Sequence, residues 1–416
     1  MKNPRLAIAI ASILAISACQ VAQAPPSVEA RARALHDRIL TVDTHCDTAF
    51  GLLRADWKIG DRHEPGPRAG GKVDLPRMRE GGLDAEFFAA FVGQGPLTPE
   101  AYARAKEGAL RAVEAVREMT VTYASTIGLA VDPSGARRLK SEGRLVAFIG
   151  LENGYPIGRD LSLVGFFHGK GVRYITLCHS ADNDICDSST DRRAPEDRGL
   201  SDFGREVVAE CNRVGMIVDV SHASERSFYD VLAASRAPVI ASHSSARAVC
   251  DHPRNLTDDQ IRALAAKGGV VQICFLGSYV KKMPVSPERE KALKELEAKY
   301  GSMRTIQDPA VRQKARAEME EVNGKYPENR PTVADVVDHI DHVRKLVGVD
   351  YVGIGTDFDG GGGVVGCDDV SGMIRVTEEL IRRGYTDREI EKIWGGNFFR
   401  VFDRVLELAG TSEGTA

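Results

Sequence analysis

Several absences narrow what this chain can be. No large basic block interrupts it, and the formal net charge is −4, so nucleic acid is not expected as a partner. No 20–50-residue repeat recurs, which sets solenoids and propellers aside. The eight cysteines follow no disulfide or zinc-ribbon spacing. The run Gly360 to Gly363 is not followed by Lys-Ser or Lys-Thr, so it reads as a flexible loop rather than a phosphate loop. The apolar run Leu6 to Ser17 is too short to cross a bilayer.

That run follows Lys2 and Arg5, and residues 1–24 read as a signal peptide. Ile16-Ser17-Ala18-Cys19 resembles a bacterial lipobox, with Cys19 as the lipidated mature N-terminus. A cut after Ala22-Gln23-Ala24 would place Pro25 next, which suits signal peptidase I poorly. The expectation is a lipid-anchored protein of the bacterial envelope or periplasm, with a plain secreted protein as the alternative. Loss of Lys2 and Arg5 takes the formal net charge from −4 to −6. If Cys19 carries lipid, seven cysteines remain. Cys46, Cys178 and Cys274 lie in or beside apolar strands and behave as small hydrophobes. A bridge involving Cys186, Cys250 or Cys367 stays open in an oxidising compartment.

What is present is alternation. Short β-branched or aromatic runs occur near 39–45, 84–92, 145–151, 172–178, 215–221, 237–242, 269–275 and 351–356. Helical patterns fill the gaps, as at Pro99 to Thr126, Asp202 to Arg213, Glu225 to Ser235, Thr257 to Lys267 and Thr332 to Leu346. Eight strand–helix repeats predict a (β/α)8 TIM barrel over 25–410 as a single domain, against an open doubly wound sheet. Residues 54–77 read as a loop, 281–330 as one or two charged helices inserted after the seventh strand, and 411–416 as a tail. In a barrel both additions sit on the active-site face, as a lid, a dimer contact or a plain surface excursion.

Seven polar residues close six of these strands: His45 and Asp47, Glu152, His179, His222, His243 and Asp357. A strand buried on both faces is apolar, and its last residues open onto the crevice, so these side chains point to one shared site. A period of two puts His45 and Asp47 on one face. Glu152 can bridge two cations with its two oxygens. His222 and His243 end consecutive strands, which core packing explains poorly. His45, Asp47 and Glu152 can serve one metal, and Glu152, His222 and His243 a second. Two cations about 3.5–4 Å apart lower the pKa of a shared water. The N/O donor set suits zinc, with manganese or cobalt able to substitute. Asp357 is placed to move a proton, though Asp359 lies two residues on and period alone does not choose between them. His179 can stabilise an oxyanion, and Arg254, on the same rim, can pair with a substrate carboxylate.

These residues stand in motifs: Val42-Asp43-Thr44-His45-Cys46-Asp47, Gly150-Leu151-Glu152-Asn153-Gly154, Tyr174 to His179, Asp219-Val220-Ser221-His222, Ser242-His243-Ser244, Pro253-Arg254-Asn255 and Gly355 to Gly360. In order and spacing the set resembles the membrane (renal-type) dipeptidases, peptidase family M19, from about residue 35 to 405. The resemblance implies an amidohydrolase-type barrel with two Zn2+ per subunit: His45 and Asp47 on one ion, Glu152 bridging, His222 and His243 on the other. It implies substrate binding by His179, Arg254 and Tyr279, and proton transfer by Asp357. It implies hydrolysis of dipeptides by a metal-bridged hydroxide, often with a D-residue accepted at the C-terminal position and sometimes with opening of β-lactams. A homodimer is expected. The charged stretch 281–330 departs from the animal members. A related hydrolase with a carboxylated Lys bridge is disfavoured, because the fourth strand ends in Cys178-His179 and Lys170 lies at its other end.

Overall fold

The computed structural model describes residues 26–64, 71–193, 196–301, 306 and 308–410. The signal-peptide and Cys19 expectations, and the tail 411–416, fall outside these residues.

Nine parallel strands form one sheet: β1 (Val42–Cys46), β2 (Ala85–Phe91), β3 (Ile127–Leu129), β4 (Leu145–Glu152), β5 (Val172–Thr176), β6 (Ile217–Asp219), β7 (Ile240–Ser244), β8 (Val270–Ile273) and β9 (Val352–Ile354). The order is β1-β2-β4-β5-β6-β7-β8-β9, with β3 paired to β4 off this path. The ends of β9 and β1 meet through a parallel bridge between Cys46 and Phe358. There Asp357 N–H donates to the His45 carbonyl at 3.0 Å, and Asp47 N–H to the Phe358 carbonyl at 2.7 Å. The eight-stranded path therefore closes on itself as a (β/α)8 barrel. All eight expected strands are present. β3 was not expected: the preceding helix stops at Thr122, and the chain pairs briefly with β4 before the next helix.

The helices begin where their caps demand. Thr98, Asp132, Ser201 and Ser224 each accept from a backbone N–H of the first turn, and Thr257 forms a capping box with Gln260. Asp74 caps a helix over Leu75–Gly81, so residues 75–77 of the expected loop 54–77 are helical instead. The charged insertion holds two helices, Pro287–Tyr300 and Pro309–Lys325, between β8 and β9.

Aromatic rings plug the barrel floor. Phe87 stacks on Phe148 at 4.6 Å, and the C-terminal helix (Asn397–Leu408) seals the bottom with Phe398 against Phe87 and Phe402 against Phe148. Filling this end with apolar side chains leaves only the C-terminal ends of the strands open for polar chemistry. All seven described cysteines are buried and free, so no bridge joins Cys186, Cys250 or Cys367 to a described partner.

Candidate metal centre

Two β-bulges aim the first histidines. Asp43 and Cys46 of β1 oppose Glu86 and Phe88 of β2, so β1 carries one extra residue between them. β7 does the same: Ala241 and Ser244 oppose Val271 and Ile273 of β8. A bulge re-aims the side chains beside it. His45 and His243 sit within these two irregularities, and their rings lie 3.8 Å apart.

The strand ends converge on Glu152. Its Oε2 faces His45 Nε2 at 3.5 Å. Its Oε1 faces His222 Nε2 at 3.2 Å, His243 Nε2 at 3.5 Å and His179 Nε2 at 3.7 Å. Asp47 Oδ2 lies 3.8 Å from His45 Nε2. Three groups each bring a set of ligand atoms within 4.8 Å of one another: His45, Glu152 and His243; Glu152, His179 and His222; and His45, Asp47 and Asp357. All seven strand-end residues thus meet in one place. The groups cut across the two triads read from the sequence, because His243 also reaches His45 and His179 also reaches His222.

The donor set fits metal ions. His45 Nε2 is buried without a hydrogen-bond partner among the described residues. A buried polar atom left so is costly unless something else binds it. The outer nitrogens of two histidines are tied back: His45 Nδ1 to the Tyr174 hydroxyl at 2.8 Å, and His243 Nδ1 to the Ser242 hydroxyl at 2.8 Å. Ser242 in turn donates to Asp219 at 2.6 Å. Such contacts fix a ring so that its Nε2 points inward. Burial, together with the Arg254 charge, pushes the His222 and His243 pKa values well below the ordinary histidine range, which keeps them neutral and able to ligate. Burial raises the Glu152 pKa, but His45, His222 and His179 overcome it and hold this carboxyl well below its usual range. Burial and the Asp47 charge drive the Asp357 pKa well up.

Backbone strain gathers at the same rim. Among the described residues, the non-glycine residues with positive φ are Asn153 (74°), His222 (71°), Asp357 (61°) and Asp359 (67°). Such conformations are sparsely populated and persist where the surroundings impose them. Gly360 answers to the same crowding: a Cβ there would lie 2.1 Å from oxygens of both Asp357 and Asp47. The two candidate carboxylates also separate. Asp357 points at His45 and Asp47, whereas Asp359 accepts from the Thr48 hydroxyl and the Lys72 N–H.

Arg254 is buried against the β7 side. It donates to the His243 carbonyl at 3.0 Å, lies over the Tyr279 ring at 5.4 Å, and pairs with no carboxylate among the described residues. His179 keeps some exposure and packs against Phe91 at 4.6 Å. Tyr174, Ser242 and Asp219 had no assigned role in the sequence reading. A buried acid at the end of an apolar strand was the available signal for Asp219.

A closed barrel with an imidazole–carboxylate cluster at the C-terminal ends of its strands defines a metal-dependent hydrolase of the amidohydrolase type. Residues 29–415 match the family described as Membrane dipeptidase (Peptidase family M19). Dipeptidase tcpJ of Claviceps purpurea (strain 20.1) is 32% identical over 370 residues, covering 87% of this chain and 76% of that protein. The probable dipeptidase PvdM from Pseudomonas aeruginosa superposes with a TM-score of 0.77 at 31% identity, covering 92% of this chain and 99% of that one. A metallo peptidase from Rhodobacter sphaeroides, solved with a phosphinate mimic of the dipeptide L-Ala-D-Ala, gives 0.70 at 26% identity over 88% of this chain and 99% of that one. The chain belongs to the M19 membrane dipeptidase family and is a metallo-dipeptidase. Among the described residues, no helix is long and apolar enough to cross a membrane.

Proposed function

We propose that the chain hydrolyses dipeptides at a binuclear zinc centre and tolerates a D-residue at the C-terminal position. The observation that carries this reading is Glu152, whose two oxygens face different histidines. His45 and Asp47 would hold one ion, His222 and His243 the other, with Glu152 between them; manganese or cobalt would also suit these donors. Bound there, the ions would supply a hydroxide nucleophile at neutral pH and Lewis acidity toward the scissile carbonyl.

The protein's own groups do the rest. Arg254 presents an unpaired guanidinium for the substrate's terminal carboxylate. A longer peptide would place an amide there, so the contact selects dipeptides. His179 stands beside the reacting carbonyl and stabilises charge that develops on its oxygen. Asp357, whose raised pKa suits proton carriage, takes a proton and passes it to the leaving amine. Tyr279 supports Arg254 through its ring face. In this reading the protein is a homodimer tethered by a lipid on Cys19 to the periplasmic side of a bacterial envelope, and residues 25–410 form its one domain.

Incubation with L,L- and L,D-dipeptides, with metal analysis of the same sample, tests the reading. Chelator-sensitive release of free amino acids supports it. Binding of dipeptides without turnover, in a fully metallated sample, would overturn it.

A further inference from the structure

A cavity of about 1100 Å3 adjoins the metal centre at Asp47, and Arg254 and His179 do not line it. Ligand pockets of roughly 300–1,000 Å3 hold drug-sized molecules, so a dipeptide of small residues leaves this space largely unused. Its far wall is the 281–330 insertion, from Lys281 to Arg289 and from Pro327 to Arg330.

Lys72 lines the cavity as well, from the segment after β1. Its backbone is clamped on both sides: its N–H donates to Asp359 at 2.7 Å, and its carbonyl accepts from Val370 N–H at 3.0 Å. Its ammonium donates to the Gly362 carbonyl and has no carboxylate within 4.0 Å among the described residues. An ammonium has three donors, and one carbonyl leaves two of them open. Three acids of the cavity lining have other partners. Asp359 accepts from Thr48 and the Lys72 N–H, Asp369 pairs with Arg77, and Asp368 pairs with Arg330 at 2.5 Å. Arg289, nearly buried, donates to the Tyr326 carbonyl and Asn323, and its nearest carboxylate, Glu328, lies 3.9 Å away. Among the described residues, Arg54, Arg77, Lys281, Lys282, Arg289 and Arg330 of the cavity lining each have a carboxylate within 4.0 Å, and Lys72 does not. Burial lowers the Lys72 pKa, and Asp359 opposes that.

Arg254 backs onto His243, and the cavity reaches from His252, which packs on Tyr279 below Arg254, across to Asp47 at the centre. Arg254 itself does not line the cavity and Asp47 does, so a dipeptide whose C-terminal carboxylate sat at Arg254 would have its N-terminal residue on the Asp47 side. We propose that the cavity receives the side chain of the substrate's N-terminal residue and that Lys72 selects an acidic one, making dipeptides with N-terminal Glu or Asp the preferred class. This rests on the dipeptidase reading above.

The test is kcat/KM of the metal-loaded enzyme on Glu-Ala, Gln-Ala, Ala-Glu and Ala-Ala. Glu-Ala is expected to exceed Gln-Ala by about ten- to a hundred-fold, the worth of one charge-assisted hydrogen bond, mainly through KM. Lys72→Met should bring that ratio close to one, and Lys72→Arg should keep it higher than Lys72→Met does. Equal rates on Glu-Ala and Gln-Ala, with Ala-Ala cleaved, overturn the selectivity and leave the dipeptidase reading intact. A preference for Ala-Glu over Glu-Ala overturns the placement of the side chain. No turnover of any of the four overturns the dipeptidase reading, and the selectivity falls with it. The wild-type ratio does not depend on any variant folding.

Discussion

His222 and His243, which end consecutive barrel strands, meet Nε2 to Nε2 at 2.9 Å. Both rings are buried, and burial keeps both neutral. Ser242 donates to Asp219 and accepts from His243 Nδ1–H, which leaves a lone pair on His243 Nε2. A cation shared with Glu152 would satisfy that lone pair and its neighbour together.

An ion bound there would make stability depend on metal. Ligands bound only to the folded state stabilise it by mass action. Dialysis against a strong chelator should remove activity and lower the melting temperature, and zinc should restore both. A melting temperature indifferent to chelator would show that the centre holds no tightly bound ion.

Asp219 should act through His243. It accepts from Thr176, Ser221 and Ser242, and so ties β5, β6 and β7 together behind His222 and His243. Ser242→Ala removes the link to His243 and should weaken metal binding by roughly 10–100-fold, as loss of such supporting contacts does elsewhere. Competition with a fluorescent chelator reads this directly; an unchanged affinity would assign the serine to packing alone.

Asp357→Asn should retain metal and lose turnover by about 10²–10⁴-fold, the usual range for a general acid–base group. Rapid-quench and steady-state rates on one dipeptide, with metal content measured in parallel, check this. Wild-type turnover in the variant would remove Asp357 from proton transfer.

Arg254→Lys keeps the charge but loses the planar fork that grips a carboxylate. KM for dipeptides should rise roughly ten-fold or more, with a smaller change for dipeptide amides, which lack the carboxylate. Equal effects on acid and amide would place Arg254 outside carboxylate recognition.

His36 supplies a pH dependence away from the centre. Its ring contacts the Gly82 carbonyl at 2.9 Å and the Thr377 hydroxyl at 2.6 Å, and burial lowers its pKa from 6.5 to about 4. Above pH 6.5 the ring is neutral in both folded and unfolded chains, and its contribution is fully present. As pH falls toward 4 the unfolded chain takes up a proton that the folded chain refuses, so that contribution is lost. The difference amounts to about 3 kcal/mol. Urea unfolding of wild type and His36→Gln at pH 7.5 and 4.5 should show the wild type losing more; parallel losses would contradict it.

The barrel was legible because strands buried on both faces read as apolar runs, and helices between them carry capping residues. The strand-end set was legible for the same reason: His45, Glu152 and His243 are polar where the run should stay apolar. Period alone did not choose between Asp357 and Asp359. Both take positive φ, so neither obeys strand alternation, and only the loop geometry turns Asp357 inward. The bulges at His45 and His243 add a residue that no periodic reading anticipates. Lys72 was hidden because no periodic pattern marks its position and it meets Gly362 across 290 residues of chain. β3 is three residues long and is stabilised by pairing to β4 rather than by its own pattern.

In the proposed centre Glu152 bridges two ions. Anomalous diffraction at the zinc edge, from crystals of the zinc-loaded protein, tests it most directly. Two peaks roughly 3.5–4 Å apart, one beside His45 and Asp47 and one beside His222 and His243, each with a Glu152 oxygen, are predicted. A single peak, or two peaks that do not share Glu152, would contradict it.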